Sequence, residues 1–318
     1  MTDTPPLLVG DVGGTNVRFA LAVAKPAGGF DLTDISKTPG DDYESFDHAL
    51  EVYLSQTGAQ PDAAVFALAA PINGPIAQLT NRDWCVDAGA LKTHFGVNTI
   101  RLANDFAAMA RSVPELSTDS FLSLKPGNAD PDTPIVVAGP GTGFGMAVLV
   151  PEDMGWRVIS GEGGHQAFAP QTELEWALAK RLTETHGFVT VETVTGGAFM
   201  DTVHAALCDI HGVPYKQTSP ADLLASAASG DKTALALSQI RAETTMTAVM
   251  DAVLALGARG GAVIAGGVSE RLVDHLKSPQ VLDRMTKRGV RSDYVADIPI
   301  RLLVDSDAPL IGAAALQR

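Results

Sequence analysis

Leu7-Leu8-Val9-Gly10-Asp11-Val12-Gly13-Gly14-Thr15-Asn16-Val17-Arg18-Phe19-Ala20-Leu21-Ala22-Val23 decides how the rest of the chain is read. A short apolar run enters a glycine-rich turn, and a second run of small and apolar residues leaves it. That pattern predicts strand, tight turn, strand. Pro134 to Val150 has the same build: Ile135-Val136-Val137-Ala138 enters Gly139-Pro140-Gly141-Thr142-Gly143, and Phe144 to Val150 continues. Setting Asp11 on Gly139 offsets the two segments by 128 residues and sets Gly13 on Gly141. Two such hairpins, one per half, predict two domains of related design. Strand–turn–strand matches are common, so pattern alone does not prove the relation.

Helices separate the strands. Phe46, Ala49, Leu50, Tyr53 and Leu54 recur at helical spacing, predicting a helix over 43–56. Thr172 and Glu175 form a capping box for a helix that ends before Gly187. Ser219-Pro220 reads as an N-cap with a first-turn proline. Asp231 caps a long helix reaching toward Ala258, with Gly260-Gly261 as its stop. Ala262-Val263-Ile264-Ala265 is then a short buried strand before Gly266-Gly267, and 298–304 is another. Asp307 and Pro309 start a final helix. Strands alternating with helices mean an α/β fold. The stretches 125–133 and 213–220 read as linkers.

The 318 residues carry 23 Lys plus Arg against 37 Asp plus Glu, a net charge of −14. Nucleic-acid binding needs cations to displace counterions from phosphates, so this balance argues against it. It argues equally against an anionic membrane surface. A polyanionic ligand that arrives with its own metal ion stays compatible. Only Cys85 and Cys208 are present, far apart and in no CxxC pair. That excludes a zinc ribbon or disulfide scaffold and suits a reduced, cytoplasmic setting. The first residues lack the basic start of a signal peptide. The most membrane-like stretch, 246–268, contains Asp251 and Arg259 and is broken by glycines, which fits a helix and a buried strand better than a span.

Three glycine clusters, 11–16, 139–143 and 266–267, each follow a short buried strand. Any one alone could be a turn that needs glycine for its geometry. Three together point to phosphate, because successive backbone N–H groups in such turns make an anion site. Thr15, Asn16 and Thr142 add side-chain donors. Asp11 beside a phosphate is repulsive unless Mg²⁺ stands between them, directly or through its waters. The dinucleotide pattern is not met, since 139–143 reads GxGxG and continues as strand, and the P-loop pattern is absent.

Asn104-Asp105 follows an apolar strand and precedes helical residues. Asp105 at a strand end is well placed as a general base, but on spacing alone the ordinary helix N-cap is the better reading of the pair. Gly161-Glu162-Gly163-Gly164-His165 is a loop with little reason to carry charge unless something binds there. Glu162 and His165 can both hydrogen-bond sugar hydroxyls. Glu192, beside a strand by this reading, is a further candidate. The other six histidines read as structural or solvent-facing, without partners.

At this point the chain resembles the bacterial glucokinase family of the actin/hexokinase-like ATPase superfamily. Residues 11–18 resemble its first phosphate motif, Asn104-Asp105-Phe106 its catalytic-aspartate motif and 139–143 its second phosphate motif. Residues 161–165 resemble its sugar loop, Thr80-Asn81 a sugar-side segment, and 264–268 its adenosine motif. The resemblance implies a duplicated ribonuclease H-like fold, two domains around a central cleft. Domains are expected at 1–115, with 304–318 packing back on it, and at 116–303. It implies ATP and Mg²⁺, transfer of phosphate to the glucose C6 hydroxyl, and Asp105 as the base. Asn81, Asn104, Glu162, His165 and Glu192 would hold the sugar. Asp11, Gly13, Gly14, Thr15, Asn16, Gly141 and Thr142 would lie at the phosphates, with Asp11 meeting the metal through water. Gly266 and Gly267 would lie by the adenosine. Thr195-Gly196-Gly197-Ala198 departs from the Ser-Gly-Pro-Gly-like turn expected after Glu192, which loosens that placement. A sugar-sensing regulator of the same fold, a kinase for another hexose, or a donor such as ADP or polyphosphate are the alternatives; a nicotinamide oxidoreductase lacks its motif. A homodimer is the default from the prevalence of twofold oligomers.

Overall fold

The computed structural model describes residues 5–26 and 28–317. The expected first hairpin is β1 (Leu7–Val12) and β2 (Asn16–Ala24), antiparallel from Leu7 opposite Ala22 to Val12 opposite Val17. β3 (Phe30–Pro39) extends it. β4 (Ala63–Leu68) follows, then a small ribbon of β5 (Ile76–Gln78) and β6 (Cys85–Asp87), then β7 (Thr99–Asn104). β4 runs parallel to β1 and β7 parallel to β4, giving the order β3-β2-β1-β4-β7.

The second sheet uses β8 (Phe121–Lys125), β9 (Ile135–Pro140), β10 (Phe144–Glu152), β11 (Gly155–Gly161), β12 (Gly261–Ile264) and β13 (Ile300–Leu303). Its order is β11-β10-β9-β12-β13-β8. β12 runs parallel to β9 and β13 parallel to β12, as β4 and β7 do with β1. The scheme of the first sheet is therefore repeated, with antiparallel β8 added at one edge. The 128-residue correspondence holds for the first strand of each hairpin only. Val12 faces Val17, whereas Pro140 faces Phe144, so the second turn is one residue shorter.

Two compact units result. The first takes the described residues up to Ser120, Trp156–Ser160 and the chain from Asp305; the second takes Phe121–Gly155 and Gly161–Val304. In the first unit, alternation along the strands sends side chains to two faces. Leu8, Val12, Phe66 and Leu68 pack with Phe46, Leu50 and Leu91 on one. Val9, Val65, Ala67 and Ala103 meet Leu310, Ala313 and Ala314 of the Ala308–Ala315 helix on the other. Small residues on that face let the helix lie close, and a Cβ at Gly312 would overlap the carbonyl oxygen of Ala108.

The second unit is built around the Lys232–Leu256 helix, which is buried on most of its circumference. Asp231 caps it as expected, accepting from Ala234 N–H. It stops at Gly257, in the left-handed conformation at φ +63°, and not at Gly260-Gly261. The Glu173–His186 helix has the expected capping box. The first helix runs Phe46–Thr57; Ser45 caps it by accepting from His48 N–H, which leaves Tyr43 outside. Cys85 and Cys208 are free thiols. Among the described residues no helix is long and apolar enough to cross a membrane.

Several histidines expected to lack partners have them: His204 Nε2 lies 3.5 Å from Cys208 Sγ, His211 Nδ1 2.9 Å from Thr233 Oγ1, and His275 Nδ1 3.3 Å from Gln239 Oε1. Burial pushes the His275 imidazole below its ordinary value of 6.5, against an opposing pull from Asp274. Below pH 6.5 the unfolded chain therefore binds a proton that the folded chain resists, and stability falls as pH drops through that value. Urea unfolding from about pH 7.5 to about pH 5.5 is expected to show this loss, and His275→Gln to reduce it. An unchanged pH slope in the variant would remove His275 as its source.

Candidate active site

Register places the first set of candidate residues at one sheet edge. Val12, Leu68 and Asn104 are neighbours across the parallel strands β1, β4 and β7. Open α/β sheets bind ligands at the carboxyl ends of such strands. The first glycine turn leaves β1 there, and the Asp105–Ser112 helix starts there. Asn104 is indeed its N-cap: Oδ1 accepts from Ala107 N–H at 3.2 Å, and Nδ2 donates to Ala70 O at 3.2 Å. Each use leaves one lone pair on the oxygen and one hydrogen on the nitrogen for another partner. Asp105, half-buried, accepts from its own neighbour Phe106 N–H at 2.8 Å through Oδ1.

Asp11 lies directly opposite Arg18 in the hairpin, and Arg18 Nε meets Asp11 Oδ2 at 3.0 Å. Asp11 is 9% exposed, and burial pushes its carboxyl pKa up against the pull of Arg18 and Lys37. The cation that the sequence demanded beside Asp11 is thus supplied in part by the protein. Gly14 rests against Asn81, where a Cβ would come within 2.9 Å of the Asn81 Cβ. Arg82 Nη2 donates to Gly14 O at 3.1 Å and to Asp41 Oδ1 at 2.8 Å, and its guanidinium lies over the Trp84 ring. Reading the sequence missed Arg82; its partner Gly14 is 68 residues away, and no local pattern marks the pairing.

In the second unit, Gly139 and Gly266 let the ends of β9 and β12 interlock. A Cβ on Gly139 would overlap Ala265 O, and one on Gly266, at φ +97°, would come within 2.6 Å of Pro140 O. The turn Gly141–Gly143 and the pair Gly266-Gly267 therefore share one edge. Glu192 belongs to the short helix Val191–Thr195 and lies beside a strand as expected, its Oε2 accepting at 2.8 Å from the N–H of Phe144 at the start of β10. Gly163 and Gly164 are buried against Met146 and Phe144, which bends the loop so that Glu162 and His165 stay exposed beside them. Thr195-Gly196-Gly197-Ala198 folds onto the second glycine turn: Gly197 N–H donates to Gly141 O and Ala198 N–H to Thr142 O, both at 2.9 Å.

Two features suit these glycine clusters to hold an anion, the first shared by both turns and the second confined to Gly141 and Gly267. The N–H groups of Gly14, Thr15, Thr142 and Gly143 donate to no acceptor among the described residues. Gly141 and Gly267 have open space where a Cβ would stand, and neither has a positive φ. Neither packing nor conformation requires glycine there, whereas the close approach of a ligand to the backbone does. Magnesium ordinarily takes one or two carboxylates, waters and substrate phosphates. Asp11, with Oδ1 beyond the Arg18 contact, fits such a minimal donor set; among the described residues no group of three or more acidic, histidine or cysteine side chains forms a metal cage.

A family model described as Glucokinase matches residues 8–318. The glucokinase of Saccharophagus degradans is 35% identical over 313 residues, covering 98% of this chain and 97% of that protein. The crystal structure of a glucokinase from an Antarctic psychrotroph superposes with a TM-score of 0.86 at 34% identity, covering 98% of each chain. A ROK family glucokinase from Streptomyces griseus, in complex with glucose and AMPPNP, has a TM-score of 0.65 at 16% identity, covering 98% of each chain, and at that identity shares the fold. With the match running through every strand of both sheets, the chain belongs to the glucokinase family.

Proposed function

We propose that this chain transfers the γ-phosphoryl group of ATP to the C6 hydroxyl of glucose, giving glucose 6-phosphate and ADP. Family membership supports the activity. The repeated strand order supports the duplicated ribonuclease H-like architecture of actin/hexokinase-like ATPases. The single observation that carries the nucleotide reading is the pair of turns whose N–H groups lack acceptors among the described residues, with Gly141 and Gly267 beside the second, where nothing in the fold requires glycine.

Phosphoryl transfer asks mainly for positioning and charge neutralisation. In this reading Asp105 accepts the proton of the C6 hydroxyl, while Asn81, Asn104, Glu162, His165 and Glu192 bind the remaining hydroxyls. Glu192 has one oxygen committed to Phe144 N–H and offers the other. Gly13, Gly14, Thr15, Asn16, Gly141 and Thr142 take the phosphates, and Gly266 and Gly267 the adenosine. When bound, Mg²⁺ neutralises phosphate charge, with Asp11 as its acidic neighbour through water.

Gly141 and Gly143 separate ligand binding from fold. Gly141→Ala is expected to leave urea stability within about 1 kcal/mol and to raise KM for ATP, because the methyl fills the ligand's space. Gly143→Ala would drive a Cβ into Glu192 Oε2, forcing that carboxylate off Phe144 N–H, and is expected to cost about 1–3 kcal/mol, the range for a lost hydrogen bond to a charged group. The reverse ordering would refute this division. An ADP-release assay over a panel of hexoses tests the substrate: signal with glucose supports the proposal. Signal only with another hexose, or glucose binding without ADP release, would favour the other-hexose or sugar-sensor reading.

A further inference from the structure

Arg241 lies within the Lys232–Leu256 helix with 2% of its surface exposed. Its Nε and Nη2 both donate to Thr195 O, at 3.2 and 2.6 Å, and Nη1 lies 3.1 Å from Met200 Sδ. Among the described residues no carboxylate pairs with it. Glu243, two residues on, faces another side of the helix, where Arg284, Gln239 and Gln280 hold it. Burial lowers the Arg241 pKa to about 10, which leaves the group charged at neutral pH. A buried charge without a counter-ion is strongly unfavourable, and proteins ordinarily pair one.

Thr195 begins the turn that folds onto the second glycine turn. The bonds from Gly197 and Ala198 engage Gly141 O and Thr142 O, and Gly141 N–H engages Gly143 O. All three carbonyls of that turn are therefore tied within the protein, while the N–H groups of Thr142 and Gly143 are not. What the turn offers a ligand is donors only. Behind it, one bonded layer away, stands a positive charge with no negative partner.

We propose that Arg241 is a positioning residue for the nucleotide. It holds the Thr195–Ala198 turn against Gly141 and Thr142, and the polyphosphate is the counter-charge that its buried guanidinium lacks. This rests on the reading of Gly141 and Thr142 as a phosphate turn. Its planar fork grips one carbonyl with two donors, which lysine cannot do.

The test compares wild type, R241M and R241K. Thermal shifts are measured with Mg-AMPPNP and with glucose separately, and KM is measured for ATP and for glucose. R241M is expected to lose more than half of the Mg-AMPPNP shift and to raise KM for ATP by about tenfold, with the glucose values within about twofold. R241K keeps the charge and loses the fork, so about a threefold rise in KM for ATP alone is expected. If R241M does not fold, R241K decides by the same criterion. A bracing role only would weaken both ligands alike, or neither, and either result overturns the proposal. No Mg-AMPPNP shift in the wild type would overturn the phosphate-turn reading and this proposal with it; a full shift retained in R241M overturns only this proposal.

Discussion

Asp105→Asn is expected to lower turnover by about 10²–10⁴-fold, the usual range for loss of a general base, while glucose binding stays within about threefold. The local structure makes the substitution informative. Asp105 occupies the first turn of its helix and accepts Phe106 N–H through Oδ1 at 2.8 Å. An asparagine amide oxygen can accept the same bond from Phe106 N–H while lacking the capacity to take a proton. Asn104 caps the helix independently through Ala107 N–H, so the helix start does not depend on Asp105. Steady-state kinetics with a separate glucose-binding titration checks this. Turnover within about tenfold of wild type would remove Asp105 as the base.

Gly312→Ala is expected to destabilise the first unit by about 3 kcal/mol, the upper end of ordinary overpacking costs. The added Cβ would overlap Ala108 O and approach Ser112 N, both backbone atoms of the helix that Asp105 starts. Backbone atoms cannot move aside as a flexible side chain can, so the Ala308–Ala315 and Asp105–Ser112 helices must separate. Ala313, Ala314 and Ala108, each with none of its surface exposed, would lose contact with one another. Denaturant unfolding measures the loss, and activity should fall with it because the displaced helix carries Asp105. Wild-type stability in this variant would contradict the close approach of the two helices at Gly312.

Both hairpins were legible in the sequence because their pairing is local and their turns carry glycine. The capping box at Thr172 and the caps at Ser219 and Asp231 were legible for the same reason: cap and capped N–H lie within three residues. Boundaries failed where one glycine competed with others, as at Gly257 against Gly260-Gly261. The one-residue difference between the two turns was hidden, since the glycines align at either length. Asp105 and Asn104 were legible as a pair, and Asn104 both caps the helix and retains binding capacity. The supports of the glycine turns were not legible. Arg82 reaches Gly14 across 68 residues and Arg241 reaches Thr195 across 46, so only the folded chain brings them together. Arg18 was recoverable in principle, because fixing the turn length puts it opposite Asp11. The Thr195–Ala198 departure from the expected motif fits the same picture: its Gly196 and Gly197 pack on carbonyl oxygens of Thr142 and Gly141, within about 3 Å of where a Cβ would stand.

The central claim is tested most directly by identifying the product. The purified protein is incubated with Mg-ATP and glucose, and the phosphorylated sugar is assigned by phosphorus and carbon NMR while ADP is quantified. The account predicts one glucose 6-phosphate per ADP, with neither formed when glucose or ATP is omitted. Phosphate at another hydroxyl, or ADP released without any sugar phosphate, would contradict it.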